Sequence, residues 1–144
     1  MTLMYSLILC VHVYNIIHAC RCYCSSCIPV CFTAPDIPPQ GCVAVAMTST
    51  SFGVTWSAPD PPNGIIANYT IVYRPVEAVA DYDPSTLEGN TTITTESNTT
   101  MLVAVNLQPA VLYSIQLAAT NQIGTSPFSQ EFECTVLTED DCEW

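Results

Sequence analysis

Cysteine is the side chain in this sequence with the clearest capacity for chemistry. The chain has nine cysteines, and five of them fall within twelve residues. Such a cluster could bind a metal ion or form disulfides, but structural zinc sites usually consist of two Cys-x-x-Cys pairs separated by about a dozen residues or more. We therefore favour disulfides, formed in an oxidising compartment, over a metal site. The candidate disulfide cysteines are Cys20, Cys22, Cys24, Cys27, Cys31 and Cys142.

Side chains for acid–base or nucleophilic catalysis are scarce. The only histidines, His12 and His18, fall near the N-terminus, and the chain has no lysine. The rest of the chain therefore offers no imidazole base and no amine for a Schiff base. Asp81 with Asp83, or the acidic residues 139–141, could bind Ca²⁺ weakly, but we interpret them as solvated acids. We predict no catalytic residue, no cofactor, no metal and no small-molecule substrate.

The charge of the chain excludes one class of partner. Thirteen acidic residues against two arginines give a formal net charge of −11. A charge of this sign repels phosphate backbones and anionic lipid surfaces, so we expect no nucleic acid partner. With 144 residues the chain has room for one ordinary domain.

The sequence divides into four segments. Residues 1–19 are uncharged and largely apolar, which indicates a signal peptide, a signal anchor crossing the membrane once, or a misassigned gene start. The basic start typical of a signal peptide is missing. Residues 20–34 lack periodicity and predict a cysteine-rich linker, residues 35–138 predict one folded domain, and residues 139–144 form an acidic tail.

Apolar and polar side chains alternate along much of residues 35–138. This pattern is clear around Trp56, between Tyr69 and Tyr73, from Tyr113 to Leu117, and around Cys134. A period of two predicts half-buried antiparallel strands, and Pro-, Gly- and Asn-rich turns separate them. Residues 101–105 are continuously apolar, so the inward face of their strand cannot be read, and residues 75–97 predict a loop with one short strand. Seven short strands in about 100 residues indicate an all-β, two-sheet antiparallel sandwich.

Residues 35–138 resemble a fibronectin type III domain. The resemblance rests on an ordered set of residues: Pro35 and Pro38, Trp56, Asn63-Gly64, Tyr69 and Tyr73, Leu107-Gln108-Pro109 with Tyr113, and Asn121-Gln122-Ile123-Gly124 running on to Ser129. It implies a seven-stranded immunoglobulin-like sandwich. It also implies a structural core made of Trp56, Tyr69, Tyr73, Leu107, Tyr113, Ile115 and Leu117.

Three positions acquire specific expectations from this resemblance. Tyr113 follows Leu107 by six residues, as in a tyrosine corner, where the hydroxyl bonds to upstream backbone. Cys42 stands where the family usually has a core leucine, so we expect a buried thiol. Cys134 lies on the apolar face of the last strand, but the start of the first strand and the end of the last should lie at opposite poles. We therefore predict that Cys42 and Cys134 are not joined.

Three tripeptides match the N-glycosylation pattern. They begin at Asn68, Asn90 and Asn98. Asn68 should point outward because Tyr69 points inward, and the other two fall in or near the long loop, so all three should be accessible.

The functional prediction is a non-catalytic, extracellular protein-interaction or spacer module, secreted or on the cell surface, with an unidentified protein partner. Membrane contact would come only through an N-terminal anchor. The loop from Asn121 to Ser129 has no Arg-Gly-Asp tripeptide, so the integrin contact of some family members is not implied. Two alternatives stay open: a fragment of a larger receptor, such as a receptor phosphatase or kinase ectodomain, and a secreted cysteine-rich ligand acting through residues 20–31.

Overall fold

The alternating segments form antiparallel strands in the structure, a computed structural model that describes residues 19–21, 30–78 and 89–138. Strands account for all the regular structure in these residues. They are β1 (Ala19–Arg21), β2 (Val30–Phe32), β3 (Gln40–Thr48), β4 (Ser51–Ser57), β5 (Ile66–Ala78), β6 (Thr91–Glu96), β7 (Met101–Ala104), β8 (Val111–Asn121) and β9 (Phe132–Thr135).

Seven of these strands make two antiparallel sheets. One sheet has the order β3-β4-β7 and the other the order β6-β5-β8-β9. A sheet that is apolar on one face must bury that face, and these two do so against each other. The predicted all-β sandwich of seven strands is confirmed.

The core lies between the two sheets and is rich in aromatic rings. Trp56 packs edge-on against Tyr69 with ring centroids 5.4 Å apart, and Phe52 lies 5.5 Å from Tyr73 and 5.8 Å from Tyr113. Such rings bury large apolar areas in preferred tilted geometries. All seven core residues named from the sequence are buried: Trp56, Tyr69, Tyr73, Leu107, Tyr113, Ile115 and Leu117.

The strands extend further than the sequence indicated in one place. We expected a loop from residue 75, but β5 continues to Ala78 because β8 supplies partners as far as the Ala78–Val111 pair. The register shifts between Pro75 and Glu77, at the residue that cannot donate a ladder hydrogen bond. The expected short strand is β6, which pairs with β5 from Asn68 to Tyr73. Asp81 and Asp83 lie outside the described residues.

Two short strands form in the region predicted to be an irregular linker, the first of them beginning one residue before it, at Ala19. β1 and β2 pair in an antiparallel register that sets Cys20 opposite Cys31. Period-two patterning could not indicate them, since each has only three residues. The cysteines between them, Cys22, Cys24 and Cys27, lie outside the described residues, as do residues 1–18 and the tail from residue 139 with Cys142.

Candidate interaction surfaces

The described residues lack a cluster of side chains that could bind a metal ion. No group of three or more His, Cys, Asp or Glu side chains within residues 19–21, 30–78 and 89–138 could hold a metal ion. His12, His18 and the tail acids lie outside these ranges. In the same part of the chain, no helix is long and apolar enough to cross a membrane. The surface of the described residues consists of strand faces and loops.

Tyr113 is a structural residue that the sequence predicted correctly. Its ring is buried against Phe52 and Tyr73, and its hydroxyl oxygen accepts a hydrogen bond from the backbone N–H of Gln108 at 3.1 Å. This contact is the tyrosine corner expected from the Leu107 to Tyr113 spacing. It ties the loop after β7 to the start of β8, so Tyr113 supports the sandwich and is not a contact for a partner.

Asn121 joins three chain segments at one pole of the sandwich. Its side-chain oxygen accepts hydrogen bonds from the backbone N–H groups of Ile123 and Gly124, at 2.9 and 3.1 Å. Its Nδ2 therefore faces backbone carbonyls, and it donates to Thr33 at 2.6 Å, with longer contacts of 3.4 Å to Pro62 and Asn63. Asn121 is 4% exposed, so these bonds are shielded from water. The entering chain, the β4–β5 loop and the β8–β9 loop are thus held together.

Asn63 and Gly64 complete this junction. Asn63 donates to the Ala34 carbonyl at 3.3 Å and to the Asp36 carboxylate at 2.8 Å. Gly64 has φ +148°, and a Cβ there would lie 3.2 Å from Nδ2 of Asn121. The Asn-Gly pair is therefore required by a positive φ and by the close approach of Asn121. The sequence marked these residues as a turn, but the contacts with Thr33 and Ala34, which are distant along the chain, could not be read from it.

A shallow cleft of about 360 Å³ opens beside this junction. Its lining includes Phe32, Ile65 and Ile123, and Ile65 is 77% exposed. The cleft is apolar and open, so it could accept an apolar side chain of another protein, but it has no titratable group for chemistry.

The outer face of the three-stranded sheet is apolar and exposed. In β3 the larger side chains point outward, and in β7 Met101 and Val103 point outward while Leu102 and Ala104 point toward the core. Val105, which follows β7, is exposed as well. None of the strands β3, β4 and β7 contains a charged residue. We call this surface the apolar face; its exposed large side chains are Val43, Val45, Met47, Met101, Val103 and Val105.

The outer face of the four-stranded sheet has the opposite character. Arg74 and Glu131 form an exposed ion pair at 3.3 Å, and Glu131 also accepts a hydrogen bond from the Ser114 hydroxyl at 3.0 Å. Because this pair is exposed, it adds little stability. Asn68 lies on this outer face and is half-buried, whereas Asn90, just before β6, and Asn98, in the β6–β7 turn, are exposed.

Cys42 and Cys134 are both free thiols and are not joined, as predicted. Cys42 follows the Gln40–Ser57 pair at the Trp56 end of the sandwich, whereas Cys134 pairs with Tyr113 at the other end. Cys134 is buried as expected, but Cys42 is only half-buried because the start of β3 lies at the edge of its sheet. Burial raises the pKa of both thiols, although a backbone hydrogen bond partly offsets this for Cys42. Neither is a reactive thiolate near neutral pH.

Comparison of the sequence with known proteins agrees with this fold. The pattern of the fibronectin type III domain matches residues 37–135. Mouse "Protogenin" is 30% identical over 110 residues, which are 76% of this chain and 9% of that protein. Chicken "Cell adhesion molecule DSCAML1" is 35% identical over 108 residues, which are 74% of this chain and 5% of that protein. The chain thus spans less than a tenth of the length of these relatives.

Solved structures with the same fold include single domains of longer proteins. The third fibronectin III domain of the human KIAA0343 protein superposes with a TM-score of 0.59 at 20% identity, covering 73% of this chain and 87% of that domain. The FN5 domain of Drosophila Lar superposes with a TM-score of 0.53 at 25% identity, covering 70% of this chain and 98% of that domain. Identity in this range supports the fold and leaves function to the surface of this chain.

Proposed function

Since the chain belongs to the fibronectin type III family, we propose that it is a non-catalytic, extracellular protein-interaction module, secreted or held at the cell surface. The observation that carries this proposal is the apolar face, on which six large side chains are exposed without a charged neighbour in their sheet. Extensive exposed apolar surface on a small domain marks an interaction site or an aggregation liability. Relatives named as cell adhesion molecules support the former.

Photo-cross-linking from the apolar face tests this proposal. A benzophenone amino acid at Val45, in the full chain secreted from cultured cells, should give a covalent adduct with another polypeptide at the cell surface. The matched control carries the same group at Thr94, which is exposed on the outer face of the four-stranded sheet. Equal adduct formation from both positions, or none from Val45, would contradict the proposal.

The extracellular location has a separate test in the three glycosylation sequons. Asn90 and Asn98 are exposed and Asn68 is half-buried, so we expect glycans at the first two and less complete modification at Asn68. Treatment of secreted material with an N-glycosidase should increase its electrophoretic mobility, and Asn90→Gln with Asn98→Gln should remove most of that change. An unchanged mobility in the untreated and treated wild type would argue against passage through the secretory pathway.

The second candidate, a ligand acting through the cysteine-rich residues 20–31, needs a deletion that spares the junction at the pole. Asn121 and Asn63 bind the carbonyls of Thr33 and Ala34, so a deletion reaching residue 34 would disturb the domain itself. Removing residues 20–29 avoids this. If this variant still binds to the cell surface, the ligand hypothesis is excluded. If its cell-surface binding is lost while Val45→Asp still binds, that hypothesis is supported.

A further inference from the structure

We propose that the apolar face binds the same face of a second copy of this chain, so that two sandwiches associate sheet against sheet. This inference rests on the proposed function, because it names the partner of the apolar face. It would give the chain a homophilic contact.

The orientation of β3 is the first argument. This strand turns its smaller side chains, Cys42, Ala44 and Ala46, toward the core and exposes its larger apolar ones. Val43, Val45 and Met47 are 53%, 60% and 56% exposed. Hydrophobic stabilisation grows with the apolar area removed from water. Folding of a single copy leaves much of the apolar area of this strand exposed to water. Association through the outer face would bury this area and add the corresponding stabilisation.

The second argument is the surface shape of the apolar face, in which small side chains separate two rows of large ones. β4 lies between β3 and β7, and the outward positions that separate the two outer rows of large side chains are Gly53 and Thr55. Gly53 pairs with Val45 on one side and Val103 on the other. Small residues between two apolar rows make a trough into which a row of a second, two-fold related face can fit, as side chains interdigitate between packed sheets. The Met47 side chain lies over Gly53, with its sulfur 3.1 Å from the position that a Cβ would take, so a partner row enters there as this flexible side chain moves aside.

Charge favours a second copy over a basic partner. Binding to a basic protein would use an acidic surface, and the three strands of this face have no acidic residue. The acids in the described strands are Glu77, Glu96 and Glu133, all of which belong to the four-stranded sheet, and Glu131 immediately precedes β9. Two copies that each carry a formal charge of −11 repel each other. Contact through their uncharged faces keeps these acidic strands apart.

The area available matches a weak dimer. The six large side chains are between 38% and 60% exposed, so the face offers on the order of 500 Å² of apolar surface, near the upper end for the largest patch on a monomer. Pairing two such faces would bury roughly 1,000 Å² in total, the lower end of specific interfaces. We therefore expect reversible, concentration-dependent association.

Sedimentation velocity of the full chain tests the inference. At concentrations rising to roughly 100 µM, in the range where weak interfaces associate, the weight-average mass should rise from that of one copy toward twice that value. Val45→Asp, which would place a charge in the interface, should abolish the rise. Thr94→Asp adds the same charge on the opposite sheet and should leave it unchanged. Val103→Asp, on the other edge strand, gives an independent second disruption.

The salt dependence of wild-type association gives a further test, and it does not depend on a variant that could fail to fold. Raising ionic strength from about 0.1 M to about 1 M shortens the Debye length from about 10 Å to about 3 Å. This screens the repulsion between two acidic copies, so association of the wild type should strengthen. Association that weakens with salt, or that survives both Val45→Asp and Val103→Asp, would overturn the inference.

A wild-type chain that stays monomeric throughout would also overturn it. If Val45 nevertheless cross-links to a different cell-surface protein, the proposed interaction function stands and only the homophilic contact fails. If Val45 forms no adduct and the chain is monomeric, both fail.

Discussion

Single polar side chains determine how the loops of this sandwich are held. Tyr113 and Asn121 are both buried, and each binds backbone groups of other segments. Buried hydrogen bonds of this kind matter mainly because losing one partner leaves the other unsatisfied. Trp56 differs from these two residues, because its buried Nε1 has no hydrogen-bond partner among the described residues. The indole is therefore held by apolar packing with Tyr69 and its neighbours.

Replacing Tyr113 with phenylalanine should destabilise the domain. The ring would still fill the core, but the Gln108 N–H would lose its acceptor, at a cost of roughly 1 to 3 kcal/mol in the free energy of unfolding. Tyr73→Phe is the matched control, because Tyr73 is also a buried core tyrosine and its hydroxyl has no hydrogen-bond partner among the described residues. Urea denaturation should give a clearly lower midpoint for the first variant alone. Equal midpoints would show that the corner contributes nothing to stability.

Replacing Asn121 with alanine should loosen the pole where the chain enters the domain. The backbone N–H groups of Ile123 and Gly124 and the Thr33 carbonyl would lose their partner, and the free energy of unfolding should fall by roughly 1 to 3 kcal/mol. Amide hydrogen exchange at Ile123 and Gly124 should accelerate. Gln122→Ala, an exposed neighbour, should leave exchange unchanged; a similar acceleration in both variants would contradict this role for Asn121.

At the scale of elements, the last part of the sandwich depends on two serines. Pro127 lies between Ser126 and Ser129, whose hydroxyl oxygens accept hydrogen bonds from the N–H groups of Ala119 and Leu117, each at 3.0 Å. The hydroxyls thus satisfy N–H groups of β8 before β9 begins at Phe132. An irregular segment with a proline can therefore continue the sheet.

At the scale of the whole molecule, the two outer surfaces differ in charge and polarity. The four-stranded sheet carries the ion pair of Arg74 with Glu131 and the Asn68 sequon, and the three-stranded sheet carries the apolar face. A chain of net charge −11 is protected from indiscriminate association by repulsion. The proposed interaction needs the apolar face to stay exposed in the single copy, and this repulsion opposes its indiscriminate use.

Stability of the domain should fall at alkaline pH. Burial raises the pKa of Cys42, Cys134 and Tyr69, so the folded state keeps protons that the unfolded state releases. The contribution of these groups is fully present below the ordinary thiol pKa of about 8.5 and is lost as pH rises above it. Urea midpoints should therefore decrease from about pH 8.5 upward, and Cys134→Ala should show a shallower decrease. A midpoint that increases over this range would contradict the expected direction.

Much of the fold could be predicted because local patterns record it. Alternation around Trp56, Tyr69 and Tyr113 reports which side chains meet the core, and the turn residues between them limit strand length. The β1–β2 pairing and the extension of β5 to Ala78 could not be predicted, since each depends on a partner strand elsewhere. The apolar face was missed for a related reason, because continuous apolar runs such as residues 101–105 have no phase to read.

The sequence by itself determined the sandwich, its aromatic core, the tyrosine corner and the lack of histidine and lysine side chains beyond residue 18. These follow from residue types, from the period of two along each strand and from the resemblance to the fibronectin type III domain. Only the tertiary structure decided that β3 exposes its larger side chains and that Asn121 joins three segments, one of them 88 residues away. The orientation of an apolar strand and the partners of a turn residue are set by the neighbours that folding brings, and composition does not contain them.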